Sequence, residues 1–246
     1  MSKLQDIAAY CAERLDIAAF DDYCPNGIQV EGRAEVRRIV SGVTASQALV
    51  DAAVAAGADL LLVHHGYFWR GESPVLTGMK ARRIAALMRA DVSLLAYHLP
   101  LDAHAELGNN RQLAERLGFE GAEPVGGLLW GCTLAAPISA GELHARIGDA
   151  LQREPMRVGP DRPLQRIAWC TGAAQGMIAE AAARGFDAFI SGEISEQTVH
   201  QSRELDVVYL AAGHHATERY GVQALGDELA ARFGLEHRFV EIDNPV

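Results

Sequence analysis

Six of the nine histidines in this chain lie at three places, each at or just after the end of an apolar run. The three places hold His64 with His65, His98 with His104, and His214 with His215. In a parallel α/β sheet, the residues after a buried strand lie at the carboxyl edge of the sheet, where ligand sites gather. Imidazoles at this edge predict metal binding or proton transfer.

The spacing of these residues favours two metal ions over one. His64 and His65 are adjacent, and in an extended strand their side chains point to opposite sides. His214 and Glu218 are four residues apart at a predicted helix start, so they share one face and can bind one ion. Asp102 aligns with Glu218 in an internal repeat. These five ligands offer nitrogen and oxygen only, which suits Zn, Fe, Mn or Co, and they fit two divalent ions about 3.5 to 4 Å apart.

Other interpretations of the same residues stay open. A histidine after a strand can simply be a polar residue at the solvent edge, and GHHATE also fits a helix N-terminus with Thr217 near the first turn. Glu193 aligns with His65 and can either reach the same cleft or begin a helix. His98 aligns with His214, and for His98 and Glu193 we predict proton transfer or support of the ligands.

The elements that must position these residues occur twice in the chain. Residues 45–66 align with residues 173–194, and residues 97–119 align with residues 213–235. The first pair has the order of a βαβ unit, with an Ala-rich helix pattern, a glycine and a buried apolar strand. The sequence therefore predicts an α/β protein of two similar modules made by internal duplication, layered as αβα with mostly parallel strands.

The boundary between the two modules is placed near residue 125, in EGAEPVGGLLWG, where glycine and proline cluster. The predicted modules are therefore residues 1–125 and 126–246, with an approximate boundary. The chain contains no P-loop, G-x-G-x-x-G, H-E-x-x-H or G-x-S-x-G motif. The histidines and carboxylates therefore carry the chemical signal.

The composition argues against several classes of function. A net charge of -10 repels polyanions and argues against nucleic acid as a partner. Apolar runs are far shorter than the roughly 20 residues of a membrane span. The N-terminal segment has apolar residues at helical spacing and charges throughout, which predicts a surface helix and no signal peptide. We expect a cytoplasmic protein without membrane contact, whose four widely spaced cysteines are reduced core residues.

Five motifs in this order resemble the Nif-three-like family of hexameric proteins with a dinuclear metal centre, also labelled GTP cyclohydrolase 1 type 2 homologues. The motifs are DDYCPNGIQVEG, LLVHHGYFW, AYHLPLDAH, SGEISEQTVH and AAGHHATERYGV. The resemblance implies an intertwined pair of similar α/β domains, in which terminal strands can be exchanged, and a toroidal homohexamer. It also implies the metal ligands His64, His65, Asp102, His214 and Glu218. The chain resembles the short form of the family, without an inserted domain.

These observations predict a dinuclear metal-dependent hydrolase that binds two divalent ions per chain and a small-molecule substrate. The family label implies a nucleotide, GTP, whose purine ring is opened by a metal-activated water. Hydrolysis of a phosphoester or another nucleotide on the same two ions is an alternative. A second alternative is a hexameric metal-binding scaffold or regulator without catalysis.

Overall fold

The computed structural model describes residues 1–246, which form a mixed succession of helices and strands. The helices are α1 (Leu4–Arg14), α2 (Gln47–Ala55), α3 (Gly78–Arg89), α4 (Leu99–Ala103), α5 (Asn109–Leu117), α6 (Ala140–Leu151), α7 (Ile178–Ala183), α8 (Glu196–Glu204), α9 (His214–Thr217) and α10 (Arg219–Phe233). The strands are β1 (Ser2–Lys3), β2 (Gly27–Val30), β3 (Glu35–Val36), β4 (Arg38–Thr44), β5 (Leu60–His65), β6 (Ser93–Ala96), β7 (Glu123–Gly126), β8 (Leu129–Ile138), β9 (Met156–Val158), β10 (Leu164–Trp169), β11 (Ala188–Ser191), β12 (Val208–Ala211) and β13 (Glu236–Phe239).

The contacts within the chain divide it into two compact units. Unit 1 comprises Met1–Leu107 and Gly221–Asp243, and unit 2 comprises Gly108–Tyr220 and Asn244–Val246. The boundary near residue 125 that the repeat predicts falls inside unit 2, in the antiparallel β7–β8 pair. That boundary describes the duplicated sequence, whereas the contacts assign β13 and most of α10 to the unit that contains the first strands.

Unit 1 is built on a five-stranded sheet in the order β13-β4-β5-β6-β2. The first three pairings are parallel, and β2 adds an antiparallel edge. Alternate residues of β5 enter two different cores: Leu61 packs with residues of α2 and α3, whereas Leu62 packs with residues of α1 and α10. Helices therefore cover both faces, which explains why β5 is a continuous apolar run.

Unit 2 is built on a six-stranded sheet in the order β7-β8-β10-β11-β12-β9. Its central strands β10, β11 and β12 are parallel, and antiparallel strands flank them on both sides. Trp169 packs with residues of α5 and α6, whereas its neighbour Ala168 packs with residues of α7. The predicted α/β class is confirmed in both units. The strands are mostly parallel in unit 1, as predicted, whereas in unit 2 only the central strands are parallel and three of the five strand pairings are antiparallel.

The same local arrangement occurs at two positions that the sequence repeat aligns, Asp59 and Asp187. One carboxylate oxygen of Asp59 accepts hydrogen bonds from the backbone N–H groups of Arg37 and Arg38, at 2.8 and 3.0 Å, and the other pairs with the Arg33 guanidinium at 2.7 Å. Asp187 does the same with two adjacent backbone N–H groups, both at 2.8 Å, and with an arginine at 2.8 Å. This shared arrangement supports the predicted duplication.

Strand β13 joins the edge of β4 through a buried polar contact. His237 Nε2 lies 2.7 Å from the Ser41 hydroxyl oxygen, and its Nδ1 lies 2.7 Å from an Asp227 carboxylate oxygen. The imidazole occupies the space beside Gly226, where an added Cβ would lie 2.2 Å from Nε2. A small residue in α10 is therefore needed for β13 to pack in this register.

The remaining predictions about the core also hold. All four cysteines are buried and have free thiols. The N-terminal segment forms helix α1, which buries Leu4, Ile7 and Cys11 on one face. None of the helices is both long and apolar enough to cross a bilayer.

Candidate metal centre

Three histidines come together at the carboxyl edge of the unit 1 sheet. His64 and His65 end β5, and His98 follows β6, the next strand of the sheet. One ring nitrogen from each lies within 4.8 Å of the others. The His64 ring is 4.5 Å from the His65 ring and 5.1 Å from the His98 ring, so the two adjacent imidazoles do not point to opposite sides as an extended strand predicts. The β5–β6 pairing thus brings together histidines more than thirty residues apart in the sequence.

Hydrogen bonds fix the orientation of the first two imidazoles. The buried His64 ring lies with Nδ1 at 2.8 Å from the Tyr97 carbonyl oxygen, which can only accept a proton. His65 Nδ1 lies 3.1 Å from the Thr44 hydroxyl oxygen. With Nδ1 engaged, each ring presents Nε2 to other partners. Histidines that bind metals in proteins are commonly oriented in this way.

His98 is held by a carboxylate from a distant part of the sequence. Its Nδ1 lies 2.7 Å from Asp22 Oδ1, and its backbone N–H donates to the Asn26 side-chain oxygen at 2.8 Å. Burial would raise the pKa of the Asp22 carboxyl, but hydrogen bonds from His98 and Asn26 outweigh burial and lower this pKa to about 2. Asp22 is therefore ionised at neutral pH, as a carboxylate that orients an imidazole must be.

Asp102 reaches the same group of residues because a short helix begins directly after His98. The backbone N–H of Asp102 donates to the His98 carbonyl oxygen at 3.1 Å, within the first turn of α4. Pro100 occupies the first part of this helix, where a missing N–H costs nothing. The turn places Asp102 Oδ1 at 3.4 Å from His64 Nε2, with Asp102 itself buried.

Unit 2 carries a second pair of candidate ligands. His214 and Glu218 lie one helical turn apart, with His214 Nε2 at 3.1 Å from Glu218 Oε2. His214 Nδ1 lies 2.7 Å from Glu193 Oε1, so a carboxylate again holds the ring on the other side. Burial would lower the pKa of His214, but Glu218 and Glu193 together raise it to about 9. The imidazole therefore lies between two carboxylates.

Space for the Glu218 carboxylate depends on a glycine. A Cβ added at Gly172 would lie 2.0 Å from Glu218 Oε1 and 3.3 Å from His214 Nε2. The Gly172 backbone is fixed, since its N–H donates to the Thr217 hydroxyl oxygen at 3.1 Å and its carbonyl accepts from Gly192 N–H at 2.8 Å. Its φ of +68° is in the left-handed region that favours glycine.

The residues in both units fit a divalent cation. Two donor atoms bound at about 2.1 Å to one ion lie roughly 3.0 to 3.4 Å apart for octahedral or tetrahedral angles. The two Nε2 to carboxylate distances, 3.4 Å in unit 1 and 3.1 Å in unit 2, lie in this range. Imidazole nitrogen with carboxylate oxygen and no thiolate suits Zn, Fe, Mn or Co. Each unit therefore provides a group of residues that could bind metal.

The structure also revises the interpretation of Glu193. The sequence predicts that Glu193 either reaches the same cleft or begins a helix. Helix α8 begins at Glu196 after the capping residue Ser195, so Glu193 lies before the helix and does not begin it. Its carboxylate contacts His214, and this matches the role of Asp22 toward His98. Sequence reasoning missed Asp22, although the segment DDYCPNG that contains it was one of the five motifs of the resemblance.

One cavity of unit 1 lies away from these histidines. It has a volume of about 810 Å³ and opens at the amino edge of the sheet, beside Arg33, Arg38 and Asp59. The Arg33 guanidinium pairs with Asp59, and Arg38 pairs with Glu236 at 2.9 Å. Both guanidinium groups are thus already paired with carboxylates of the same unit, so the histidine clusters remain the stronger candidates for function.

A family model described as Duf34/NIF3 (NGG1p interacting factor 3) matches residues 2–245. The chain belongs to the Duf34/NIF3 family. Duf34/NIF3 relatives named GTP cyclohydrolase 1 type 2 homolog include a protein of Allochromatium vinosum, 57% identical over 249 residues, with 100% of this chain and 98% of the relative covered. A Pseudomonas aeruginosa protein of the same name is 59% identical over 237 residues, with 94% of each chain covered. The predicted family is confirmed.

Several solved structures have a similar fold. The protein ybgI, described as of unknown function, matches with a TM-score of 0.96 and 48% identity over 100% of both chains. A protein of Thermus thermophilus matches with a TM-score of 0.93 and 31% identity, again over 100% of both chains. Reduced HcgD from Methanocaldococcus jannaschii matches with a TM-score of 0.85 over 98% of both chains, and its 21% identity shows the likeness of fold alone.

Proposed function

We propose that this Duf34/NIF3 protein is a metal-dependent hydrolase that binds two divalent ions per chain. The ligands are His64, His65, Asp102, His214 and Glu218. One observation carries the proposal: in each unit a histidine held at Nδ1 by the protein faces a carboxylate with Nε2. Five nitrogen and oxygen ligands exceed what a single open ion takes, and the family resemblance also implies a dinuclear centre.

The bound ions would supply a water whose pKa is lowered toward neutrality. Around them, the chain's own residues have separate tasks. Asp22 keeps the His98 ring in one orientation, and His98 can then carry a proton to or from the substrate. Glu193 positions His214 by accepting its Nδ1–H, which favours Nε2 as the ligand atom.

For the reaction, we propose opening of the purine ring of a nucleotide such as GTP, with release of formate. Support comes from the name of the relatives, GTP cyclohydrolase 1 type 2 homolog. Hydrolysis of a phosphoester would use the same ligands and release phosphate. A metal-binding scaffold would release neither product. The product therefore distinguishes the three functions.

Metal content is the first measurement. The purified protein is stripped with a chelator, reconstituted anaerobically with Zn, Fe, Mn or Co in turn, and measured for ions per chain. We expect two ions per chain for at least one metal. Asp102→Ala and Glu218→Ala should each lower this number, whereas Glu196→Ala, which removes an exposed carboxylate paired with His200, should leave it unchanged. Fewer than two ions in the wild-type chain contradicts the dinuclear centre.

Turnover is the second measurement. The reconstituted protein is incubated with GTP and other nucleotides, and the products are identified by mass spectrometry beside the Glu218→Ala variant. Formate that depends on Glu218 supports the proposed reaction, and phosphate that depends on Glu218 supports the phosphoesterase. If no nucleotide is consumed while metal removal lowers the melting temperature, the protein is a scaffold and the hydrolase proposal is wrong.

We also propose that the chain assembles into the toroidal homohexamer that the family resemblance implies. Light scattering after size-exclusion chromatography should then give six times the chain mass of 26.5 kDa. A mass of one or two chains at micromolar concentration contradicts this assembly. Metal content measured on the same fractions shows whether assembly and metal binding are separable.

A further inference from the structure

Two aromatic side chains lie on the exposed side of the unit 1 histidines. The Trp69 ring is 5.0 Å from the His98 ring, almost perpendicular to it at 88°, and 5.9 Å from the His65 ring. The Tyr23 ring lies 6.3 Å from the His98 ring. His64 is completely buried, whereas Tyr23 is 56% exposed. Both aromatic rings therefore lie beside the histidine cluster at positions that solvent can reach.

The loop after β5 is built to hold Trp69 in this place. Tyr67 is buried, its N–H donates to Gln29 Oε1 at 2.6 Å, and its hydroxyl donates to the Ala45 carbonyl oxygen at 2.9 Å. The next residue, Phe68, has a φ of +66°, in the left-handed region that bulky residues rarely adopt. Such conformations persist where the surroundings enforce them, and they cluster at functional sites.

A cation lies beside the second ring. The Arg70 guanidinium carbon is 5.8 Å from the centre of the Tyr23 ring, and Nη2 contacts an Asp21 carboxylate oxygen at 2.6 Å and the Asp22 carbonyl oxygen at 2.8 Å. Both of these hydrogen bonds use Nη2, and the Arg70 side chain is 58% exposed. Nε and Nη1 can therefore donate to an anion such as phosphate.

We propose that Trp69 and Tyr23 form a stacking site for the planar heteroaromatic ring of the substrate, and that Arg70 binds its anionic group. The inference rests on the proposed function, because it identifies a substrate that lies beside the metal ligands. Aromatic side chains stack on nucleobases of any identity, and guanidinium groups bind phosphate oxygens through paired hydrogen bonds. The substrate class is therefore a nucleotide held by its base and its phosphate.

Tryptophan fluorescence can test the stacking site without any turnover. Trp130 and Trp169 are 2% and 0% exposed, and Trp69 is the third of three tryptophans and is partly exposed. Quenching therefore reports mainly on Trp69. We expect guanosine and guanosine monophosphate to quench this fluorescence and to protect it from acrylamide, and ribose 5-phosphate to have no effect. Trp69→Phe should remove the signal.

Binding measured by calorimetry gives the second readout. Trp69→Leu should weaken guanosine monophosphate binding roughly 5- to 150-fold, the effect of losing one base–aromatic stack. Arg70→Gln should weaken guanosine monophosphate but not guanosine. Leu76→Ala removes an exposed apolar side chain of the following loop and should change neither. Unchanged affinity in Trp69→Leu, or equal quenching by ribose 5-phosphate and guanosine monophosphate, would overturn the stacking site.

Metal content in the same samples separates this inference from the proposed function. Two ions per chain without quenching by either guanosine compound would overturn the stacking site alone. Quenching by guanosine in a protein that binds no metal would overturn the hydrolase alone. The metal content of Trp69→Leu should equal that of the wild type, because Trp69 is not a ligand.

Discussion

Replacing Gly172 by alanine should disable the unit 2 ligands without altering any of them. The new Cβ would lie 2.0 Å from Glu218 Oε1, and such contacts below 3.0 Å are essentially never seen. The Gly172 backbone is held by hydrogen bonds on both sides, so the carboxylate must retreat by about 1 Å or more. Metal–ligand distances tolerate only about 0.2 Å. We therefore expect metal affinity to fall at least 10-fold, roughly the loss seen when the support of a metal ligand is removed.

Two other glycines provide matched controls for this change. Gly234 has a similar φ of +65° with nothing within 4 Å of an added Cβ, so Gly234→Ala reproduces the backbone strain of Gly172→Ala without the clash. That strain costs about 1 to 2 kcal/mol of folding free energy. Gly176→Ala has neither strain nor clash. Of the three variants, only Gly172→Ala places a methyl group in the space of Glu218.

The assay combines equilibrium dialysis with Zn²⁺ or Mn²⁺ and urea unfolding of the metal-free proteins. Gly172→Ala should lose metal affinity relative to Gly234→Ala, and without metal it should lose at least as much stability, because the clash adds to the backbone strain that both variants share. If Gly172→Ala binds metal as tightly as Gly234→Ala, Glu218 is not a ligand, and the assignment of the unit 2 site is wrong.

Three further predictions concern the support of the site and of the fold. Glu193→Ala should lower metal affinity about 10- to 100-fold, because it releases the His214 ring. Glu193→Gln should lower it less, because the amide oxygen still accepts a hydrogen bond from His214 Nδ1. Competition with a chromogenic chelator measures the metal affinity of both variants. Asp187→Asn should cost about 2 to 3 kcal/mol of unfolding free energy in urea, and Asp59→Asn should cost about the same, because each removes a charged acceptor of adjacent backbone N–H groups. Burial would raise the pKa of Asp187, but hydrogen bonds from Arg166, Gln165 and Arg162 outweigh burial and lower this pKa. The stability that the ionised Asp187 carboxylate contributes is therefore present above the usual pKa of about 3.9 and should disappear as the pH falls below it. Chelation should lower the melting temperature, since metal at 100 times its dissociation constant stabilises the folded state by about 2.7 kcal/mol; an unchanged melting temperature would contradict metal binding to the folded chain.

Local patterns in the sequence predicted much of the fold. The apolar run before His64 became a buried strand, and the aligned acids Asp59 and Asp187 occupy equivalent places in two sheets. His214 and Glu218 share a helical face, as their spacing of four residues requires. In each of these cases the pattern reflects neighbours in the chain or a repeated unit, so the sequence carries the information directly.

The features that escaped prediction depend on contacts between distant residues or on unusual backbone angles. Asp22 supports His98 across a sequence separation of 76 residues, and no periodic pattern connects them. The place of Trp69 depends on the positive φ of Phe68, which no propensity of phenylalanine indicates. The space at Gly172 has meaning only once Glu218 is placed opposite it. Tertiary packing determines all three.

The position of β13 sets an order of events during synthesis. Unit 2 is nearly continuous in the sequence, whereas the unit 1 sheet is completed by Glu236–Phe239, which pairs with β4. Until these residues leave the ribosome, β4 is an open edge strand with unpaired backbone groups, a template for association with other chains. In pulse proteolysis of stalled nascent chains, unit 2 should therefore become protected from cleavage at a shorter chain length than β4, although β4 is synthesised first.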